Sequence, residues 1–316
     1  MKTTLTKTIA QIEIATENST RDNIYSGPIA RARGGWPLLV LPCLLAVFSS
    51  RADTIGYWRF EEGAIGSAAM AAGSVLDSSG HGLNATPFGG PVYSSSASSF
   101  ASAIGSTRSM QFNGSSQRLF INDNAMLQLT HSLTIEAFIK PEALLPGTAN
   151  VGQILFRGDN RPGLDPYFLA LEGDGNNLTF GITDASQNSA VLRFSVPLDQ
   201  WLFVAGTLDD ATGQMKLYVN GNLVNSTTTS VRPLGALDPA GSPGLSIGCD
   251  PTGQYGELFN GWIDEVRLSN VALDPSQFLE SVPEPGTAGV FCLGAAVWAL
   301  SRRAKANRPK GCPGAS

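Results

Sequence analysis

Between residues 53 and 281, apolar side chains recur at every second position in short runs, each bounded by Gly, Pro, Asn or Asp. That period belongs to strands resting on a core, because successive side chains of a strand point to opposite faces. Ser132–Lys140 (SLTIEAFIK) is the clearest run, with Leu133, Ile135, Ala137 and Ile139 on one face. Further strands are expected at Thr54–Phe60, Ser109–Asn113, Gln117–Ile121, Gln153–Arg157, Tyr167–Glu172, Asn177–Thr183 and Ala190–Val196. Others follow at Gln200–Leu208, Gln214–Val219, Leu223–Asn225, Gly244–Gly248 and Leu258–Ser269. Asn220-Gly221 between two of them predicts a type I′ hairpin, which needs positive φ at both turn positions. Strands about every 8–12 residues, with no long amphipathic helix, imply an all-β fold: a two-sheet antiparallel β-sandwich or jelly roll. A short helix is expected at Asp274–Glu280, capped by Asp274 with Pro275 at its first position. The Ser-, Ala- and Gly-rich residues 94–106 read as a flexible surface loop.

The two ends carry a different chemistry. Arg31 and Arg33 precede an apolar run from Trp36 to Phe48, and Ser50-Arg51-Ala52 places small residues where a signal peptidase needs them. This predicts a secretory signal cleaved after Ala52. At the other end Val282-Pro283-Glu284-Pro285 is followed by 14 apolar residues, Thr287 to Leu300, and then by Arg302, Arg303, Lys305, Arg308 and Lys310. As a helix that run spans roughly 21 Å, short for a bilayer core of roughly 30 Å, so it suits transient membrane insertion better than permanent anchoring. The basic residues oppose translocation. The chain therefore divides into an N-terminal extension plus signal peptide (1–52), a β-sandwich (53–281) and a tail (282–316).

The tail resembles the PEP-CTERM sorting signal of Gram-negative bacteria. The resemblance implies processing by an exosortase-type membrane protease and delivery to the cell surface or an extracellular matrix. A plain C-terminal membrane anchor is the alternative.

The chain carries a formal net charge of −5, with its positive residues concentrated at the ends. The exported part is therefore more acidic than the whole, which argues against a nucleic-acid partner. Cys43, Cys292 and Cys312 lie in the ends; Cys249 alone stays in the sandwich, so no disulfide forms within it after processing. There is no phosphate loop, zinc spacing or dinucleotide fingerprint.

Seven segments in order carry a second resemblance. They are Tyr57-Trp58-Arg59-Phe60-Glu61-Glu62, Asp77-Ser78-Ser79-Gly80-His81-Gly82, Met110-Gln111-Phe112-Asn113-Gly114, Leu133-Thr134-Ile135-Glu136-Ala137-Phe138-Ile139, Trp201 with Asp209, Lys216-Leu217-Tyr218-Val219-Asn220-Gly221, and Gly261-Trp262-Ile263-Asp264-Glu265-Val266-Arg267. Together they resemble a laminin G-like domain of the concanavalin A-like lectin/glucanase fold. Leu202-Phe203 stands where that family often has a histidine pair, a packing change. The resemblance implies a structural calcium, with Glu61, Asp77 and Asp264 as candidate ligands and carbonyls near Gly82. Against it, Asp77 would serve a turn and Asp264 would pair with Arg267 or an amide.

Enzymes share this fold, but a glucanase needs carboxylates on alternate residues of one strand, so that they share a face. No such row is present, and Asp264 and Glu265, being adjacent, are expected on opposite faces. His81 and His131 are the only histidines, and His81 lies in a glycine-rich loop. Sugar binding would use an exposed aromatic with a few polar groups. Among Tyr167, Trp201, Tyr218, Tyr255 and Trp262, only Tyr255, flanked by Gly253 and Gly256, is expected at the surface; Trp58, Trp201 and Trp262 are expected to be buried. Arg157 and Arg193 read as solvated strand residues. The expected function is a non-catalytic surface or matrix protein that binds carbohydrate or exopolysaccharide. A structural or adhesive protein that contacts other proteins is the alternative, and a glucanase-like glycoside hydrolase the third.

Overall fold

The computed structural model describes residues 54–146 and 149–281. In chain order the strands are β1 (Thr54–Trp58), β2 (Thr86–Phe88), β3 (Val92–Ser94), β4 (Ser109–Asn113), β5 (Arg118–Asn122), β6 (Leu133–Pro141), β7 (Val151–Gly158) and β8 (Tyr167–Glu172). They continue as β9 (Asn177–Thr183), β10 (Ser189–Ser195), β11 (Leu202–Leu208), β12 (Gln214–Val219), β13 (Asn222–Thr228), β14 (Gly244–Ile247) and β15 (Asn260–Ser269), with one short helix, α1 (Ser99–Ala103). They form two antiparallel sheets, the predicted sandwich. One runs β13-β12-β11-β6-β15-β4-β3, with β1 also paired to β15; the other runs β10-β9-β8-β7-β14-β5-β2.

Alternation sets the core. Leu133, Ile135, Ala137 and Ile139 of β6 enter the main cluster, meeting Leu169, Leu171, Phe180 and Leu245 of the facing sheet. Each fully buried Leu or Phe contributes roughly 1.5–3 kcal/mol. The outer face of the eight-stranded sheet is covered as well, which buries β6 on both sides. There Phe138, Phe203, Ala205 and Tyr218 pack with Ala101 of α1 and with Leu273, Phe278 and Leu279. The β12–β13 hairpin turns through Asn220 (φ 48) and Gly221 (φ 70), the left-handed pair that a type I′ turn requires.

Three segments depart from expectation. Residues 94–106 are anchored rather than loose: Ser98 caps α1 by accepting from the Phe100 N–H, and Ala101 is fully buried. The strands β2 and β3 lie in a Gly- and Pro-rich stretch whose composition hides them. The helix expected at Asp274–Glu280 is two 3₁₀ turns, Pro275–Gln277 and Leu279–Ser281. The capping box of Asp274 with Gln277 forms and Pro275 takes the first position, but Phe278 is extended (φ −66, ψ 154). Its ring drives into the sheet against Phe203 and Tyr218, with centroids 5.5 Å and 5.1 Å away, so packing overrides helix continuation.

The same segment is tied to β6. Glu136, fully buried, accepts from the Leu279 N–H at 3.0 Å and pairs with Arg267. Thr134 Oγ1 donates to the Val271 carbonyl at 2.7 Å and accepts from the Leu273 N–H at 2.9 Å. Phe278→Ala leaves a ring-sized cavity under this plug and is expected to destabilise the fold by about 3–5 kcal/mol. Urea unfolding checks it; a loss under about 1 kcal/mol would mean that the segment is not part of the cooperative unit.

Candidate functional site

Strand β15 carries a bulge opposite β6, between Asp264 and Arg267. Glu265 takes φ 51 to make it, so two residues face one and alternation breaks. Ile263 and Val266 both enter the core, while Asp264 and Glu265 both turn to the outer face. The expectation of opposite faces is thereby corrected. Both carboxylates are buried. Glu265 is bonded by Tyr57 Oη and by Arg59 Nε at 3.0 Å. Arg267 pairs with Glu136 and not with Asp264.

Asp264 is left at an oxygen cluster. Ser106 Oγ lies 2.9 Å from Asp264 Oδ2, 3.2 Å from Glu61 Oε1 and 3.0 Å from the Arg108 carbonyl. One hydroxyl hydrogen serves only one of those three acceptors at a time. Asp264 Oδ1 is buried with no partner. Burial, then the charges of Glu265 and Glu61, push the Asp264 carboxyl up to about 8. Such hard oxygens are the kind of donor that calcium takes, and one of them, Asp264 Oδ1, has no partner. Among the described residues no three His, Cys, Asp or Glu side chains converge on a metal; here two carboxylates meet a hydroxyl and a carbonyl. Glu61 also accepts from the Thr107 and Arg108 N–H groups, at 2.7 and 2.9 Å, and pairs with Arg108 at 3.0 Å. Asp77 stands apart. Its oxygens accept from the Tyr57, Ser79 and Leu83 N–H groups at 2.9–3.0 Å, closing its own loop. Ser79 Oγ contacts both Asp77, at 2.7 Å, and His81 Nδ1, at 3.2 Å. A charge-relay triad needs the imidazole between the carboxylate and the hydroxyl, and here the hydroxyl is in the middle.

The second site lies on the seven-stranded sheet. Across its outer face the register aligns Phe120, Ser246, Phe156, Phe168 and Gly181 on consecutive strands. The glycines matter: a Cβ at Gly181 would come 2.2 Å from the Phe168 ring, and one at Gly244 2.3 Å from that of Phe120. The rings therefore lie down on neighbouring strands. At Phe156 the row meets a cleft of about 170 Å³, walled also by Asp159, Arg161, Asp165, Tyr255 and Glu257.

Tyr255 is 45% exposed, as expected. Its loop is fixed by Asp250, which accepts from the Gly253 N–H at 2.7 Å and the Tyr255 N–H at 3.3 Å, and Tyr255 Oη donates to the Asn160 carbonyl at 2.8 Å. Asp159 is held by Arg161 at 2.6 Å and accepts from the Asp238 N–H at 2.8 Å. Burial, with the charge of Asp159, pushes the Asp165 carboxyl up to about 6. Burial raises Glu257 too, with Asp250 and Asp165 adding to it. No sequence signal announced Asp165 or Glu257, since sheet register brings them together.

Of the other candidates, Tyr167 and Tyr218 are buried, as expected, whereas Trp201, Trp262 and Arg157 depart from expectation. Only Trp58 of the three tryptophans is fully buried; Trp201 and Trp262 are half-buried, and Lys140 Nζ sits 4.8 Å from the Trp262 ring. Arg157 is fully buried and paired with Asp123 at 3.0 Å, whereas Arg193 is a solvated pair with Glu172. Ala52, Val282, Pro283, Glu284, Pro285, Arg302, Arg303 and the apolar run lie outside the described residues. Among the described residues no helix is long and apolar enough to cross a membrane.

A family model described as the concanavalin A-like lectin/glucanases superfamily matches residues 113–277. A second, the PEP-CTERM protein-sorting motif, matches residues 281–303. No curated protein matches the chain by sequence. Among solved structures, the binding domain of botulinum neurotoxin serotype D/C is similar, with 14% identity, coverage of 71% of this chain and 50% of that one, and a TM-score of 0.50. The receptor binding domain of botulinum neurotoxin type G matches with 14% identity, coverage of 72% and 50%, and a TM-score of 0.48. The chain spans about half the length of the solved chains it matches, and at such identity the likeness is one of fold.

The raised carboxyls give a pH signature. A carboxyl whose folded pKa lies above its unfolded one, near 3.8, stabilises the fold at low pH and loses that contribution as pH rises. In calcium-free buffer, stability is expected to fall from about pH 4 to pH 8 through Asp264 and from about pH 4 to pH 6 through Asp165. Asp264→Asn should remove the upper part of the slope and raise neutral-pH stability by at least about 1 kcal/mol. Melts across that range check it; an unchanged slope in the variant would rule out Asp264 as its source.

Proposed function

Since the chain belongs to the concanavalin A-like lectin/glucanases superfamily and carries a PEP-CTERM sorting motif, we propose that it is a non-catalytic protein of the cell surface or exopolysaccharide matrix of a Gram-negative bacterium, whose β-sandwich binds carbohydrate. The observation that carries this reading is the exposed Tyr255 ring over a polar-floored cleft that opens from an aromatic row. Sugars stack their C–H faces on such rings and donate hydroxyls to such carboxylates. The cleft is smaller than the roughly 300–1,000 Å³ of drug-sized sites, which suits one sugar ring with the chain running out along the row.

Export follows from the two ends. Signal peptidase releases the chain after Ala52, the C-terminal segment inserts transiently, and an exosortase-type protease acts at the Pro283-Glu284-Pro285 motif. Intact mass of the protein from its host is expected to begin at Asp53 and end near that motif; retention of Arg302 and Arg303 would instead mean a permanent anchor.

A structural calcium is part of the same proposal, held by Glu61 and Asp264 with the Ser106 hydroxyl and the Arg108 carbonyl. It would neutralise the buried Asp264 and join β15 to the 106–108 loop; Asp77, occupied by its own amides, is not needed. Calcium at 100 times its Kd should add about 2.7 kcal/mol, and Asp264→Asn should abolish that gain. A melt indifferent to calcium and to chelator would remove the ion.

Binding to polysaccharide arrays, followed by calorimetry, tests the main reading. Tyr255→Ala is expected to weaken the best ligand about tenfold, or about 1.4 kcal/mol, with an unchanged melt. Absence of binding to every glycan would favour a structural or adhesive role toward proteins.

A further inference from the structure

The charges of the Tyr255 cleft do not balance. Asp159 and Arg161 neutralise each other through a fork of three contacts at 2.6–3.0 Å. Asp165 has no hydrogen bond or ion pair among the described residues. Glu257 receives one neutral donor, Gln153 Nε2 at 2.8 Å. Gln153 is 3% exposed and its own Oε1 is buried without a partner. The cleft is thus lined by two carboxylates, Asp165 and Glu257, with no cation paired to either among the described residues, and the unpartnered Gln153 Oε1 lies behind Glu257.

A ligand matched to two such carboxylates brings N–H donors and a positive charge. A sugar hydroxyl brings one hydrogen and no charge. An ammonium brings three donors in a compact head, and charge-assisted bonds to carboxylates are about twice as strong as neutral ones. Among the described residues no three His, Cys, Asp or Glu side chains converge on a metal ion here. The Tyr255 and Phe156 rings beside the carboxylates suit a ring that carries the amine.

Resting on the carbohydrate reading above, we propose that this cleft seats a primary amine and that the protein selects polysaccharides with free amino groups, such as deacetylated glucosamine polymers. The ammonium bridges Asp165 and Glu257 while the pyranose ring lies against Tyr255. Burial first, and neighbouring carboxylates after it, raise the affinity of both carboxyls for protons, and a cation seated between them would offset the second of these.

Calorimetry with the full chain at neutral pH tests this, using a glucosamine hexamer, its fully N-acetylated counterpart and a lysine tetramer. The glucosamine hexamer is expected to bind at least about tenfold more tightly than the acetylated one, the weight of one charge-assisted bond. Asp165→Asn and Glu257→Gln should each erase that preference, weakening the glucosamine hexamer by at least about tenfold more than the acetylated one. Both variants relieve repulsion, so an undiminished melt certifies their fold. Equal affinity for the two hexamers, with both weakened by Tyr255→Ala, would overturn the amine assignment and leave the carbohydrate reading standing. A preference that survives both substitutions would move the amine elsewhere and also overturn it. Binding of the lysine tetramer alone, or of no probe, would overturn the amino-sugar assignment, and the polysaccharide arrays would then decide the carbohydrate reading separately.

Discussion

The bulge at Glu265 is the constraint around which the eight-stranded sheet is arranged. In a regular strand, Asp264 or Glu265 would have pointed into the apolar interior, where an unpaired carboxylate costs far more than one strand contributes. A single left-handed residue turns both outward. Each then recruits a different part of the chain. Glu265 draws in Tyr57 and Arg59 from β1 and the residues after it, and Asp264 meets Ser106 and, through it, Glu61. The first strand, the loop before β4 and the last strand are joined by polar contacts at one place, while the apolar side of β15 keeps packing on the core.

The two sheets divide the work. The eight-stranded sheet is covered outside by α1 and the 3₁₀ turns, and its buried polar groups knit the ends of the sandwich to one another. Among the described residues the C-terminal segment packs on the eight-stranded sheet and not on the seven-stranded one. Its aromatics lie flat over glycines, and its loops raise Tyr255 beside two carboxylates short of partners.

Period two and turn residues made most strands legible, with β4, β8, β9 and β12 at the bounds read from the chain. Tyr255 was legible because glycines bracket it. What local pattern cannot carry was missed. Nothing in Asp264-Glu265 distinguishes a bulge from a regular pair, because the partner strand decides which residue is extra. Helix-capping chemistry at Asp274 and Pro275 was read correctly, but the cavity that Phe278 fills belongs to β11 and β12, far away in sequence. Asp165 and Glu257 lie in separate loops, and their approach depends on the register of β7 with β8 and β14. Ser-rich residues 94–106 looked featureless because Ser98 and Ala101 matter through burial, not through type.

The route by which the chain leaves the fold has a mechanical consequence. Strand β15 is bonded to β6 along one edge and to β1 and β4 along the other, and it leads through the Phe278 plug into the segment that bears the sorting motif. Tension along that tail is first resisted by the plug and the Glu136 tie. It then falls on an interior strand pulled lengthwise, where hydrogen bonds on both edges share the load and must yield together. Had the tail followed an edge strand such as β13, the same force would part bonds one after another, like a zipper. A sandwich pulled from its interior strand resists drag at that end.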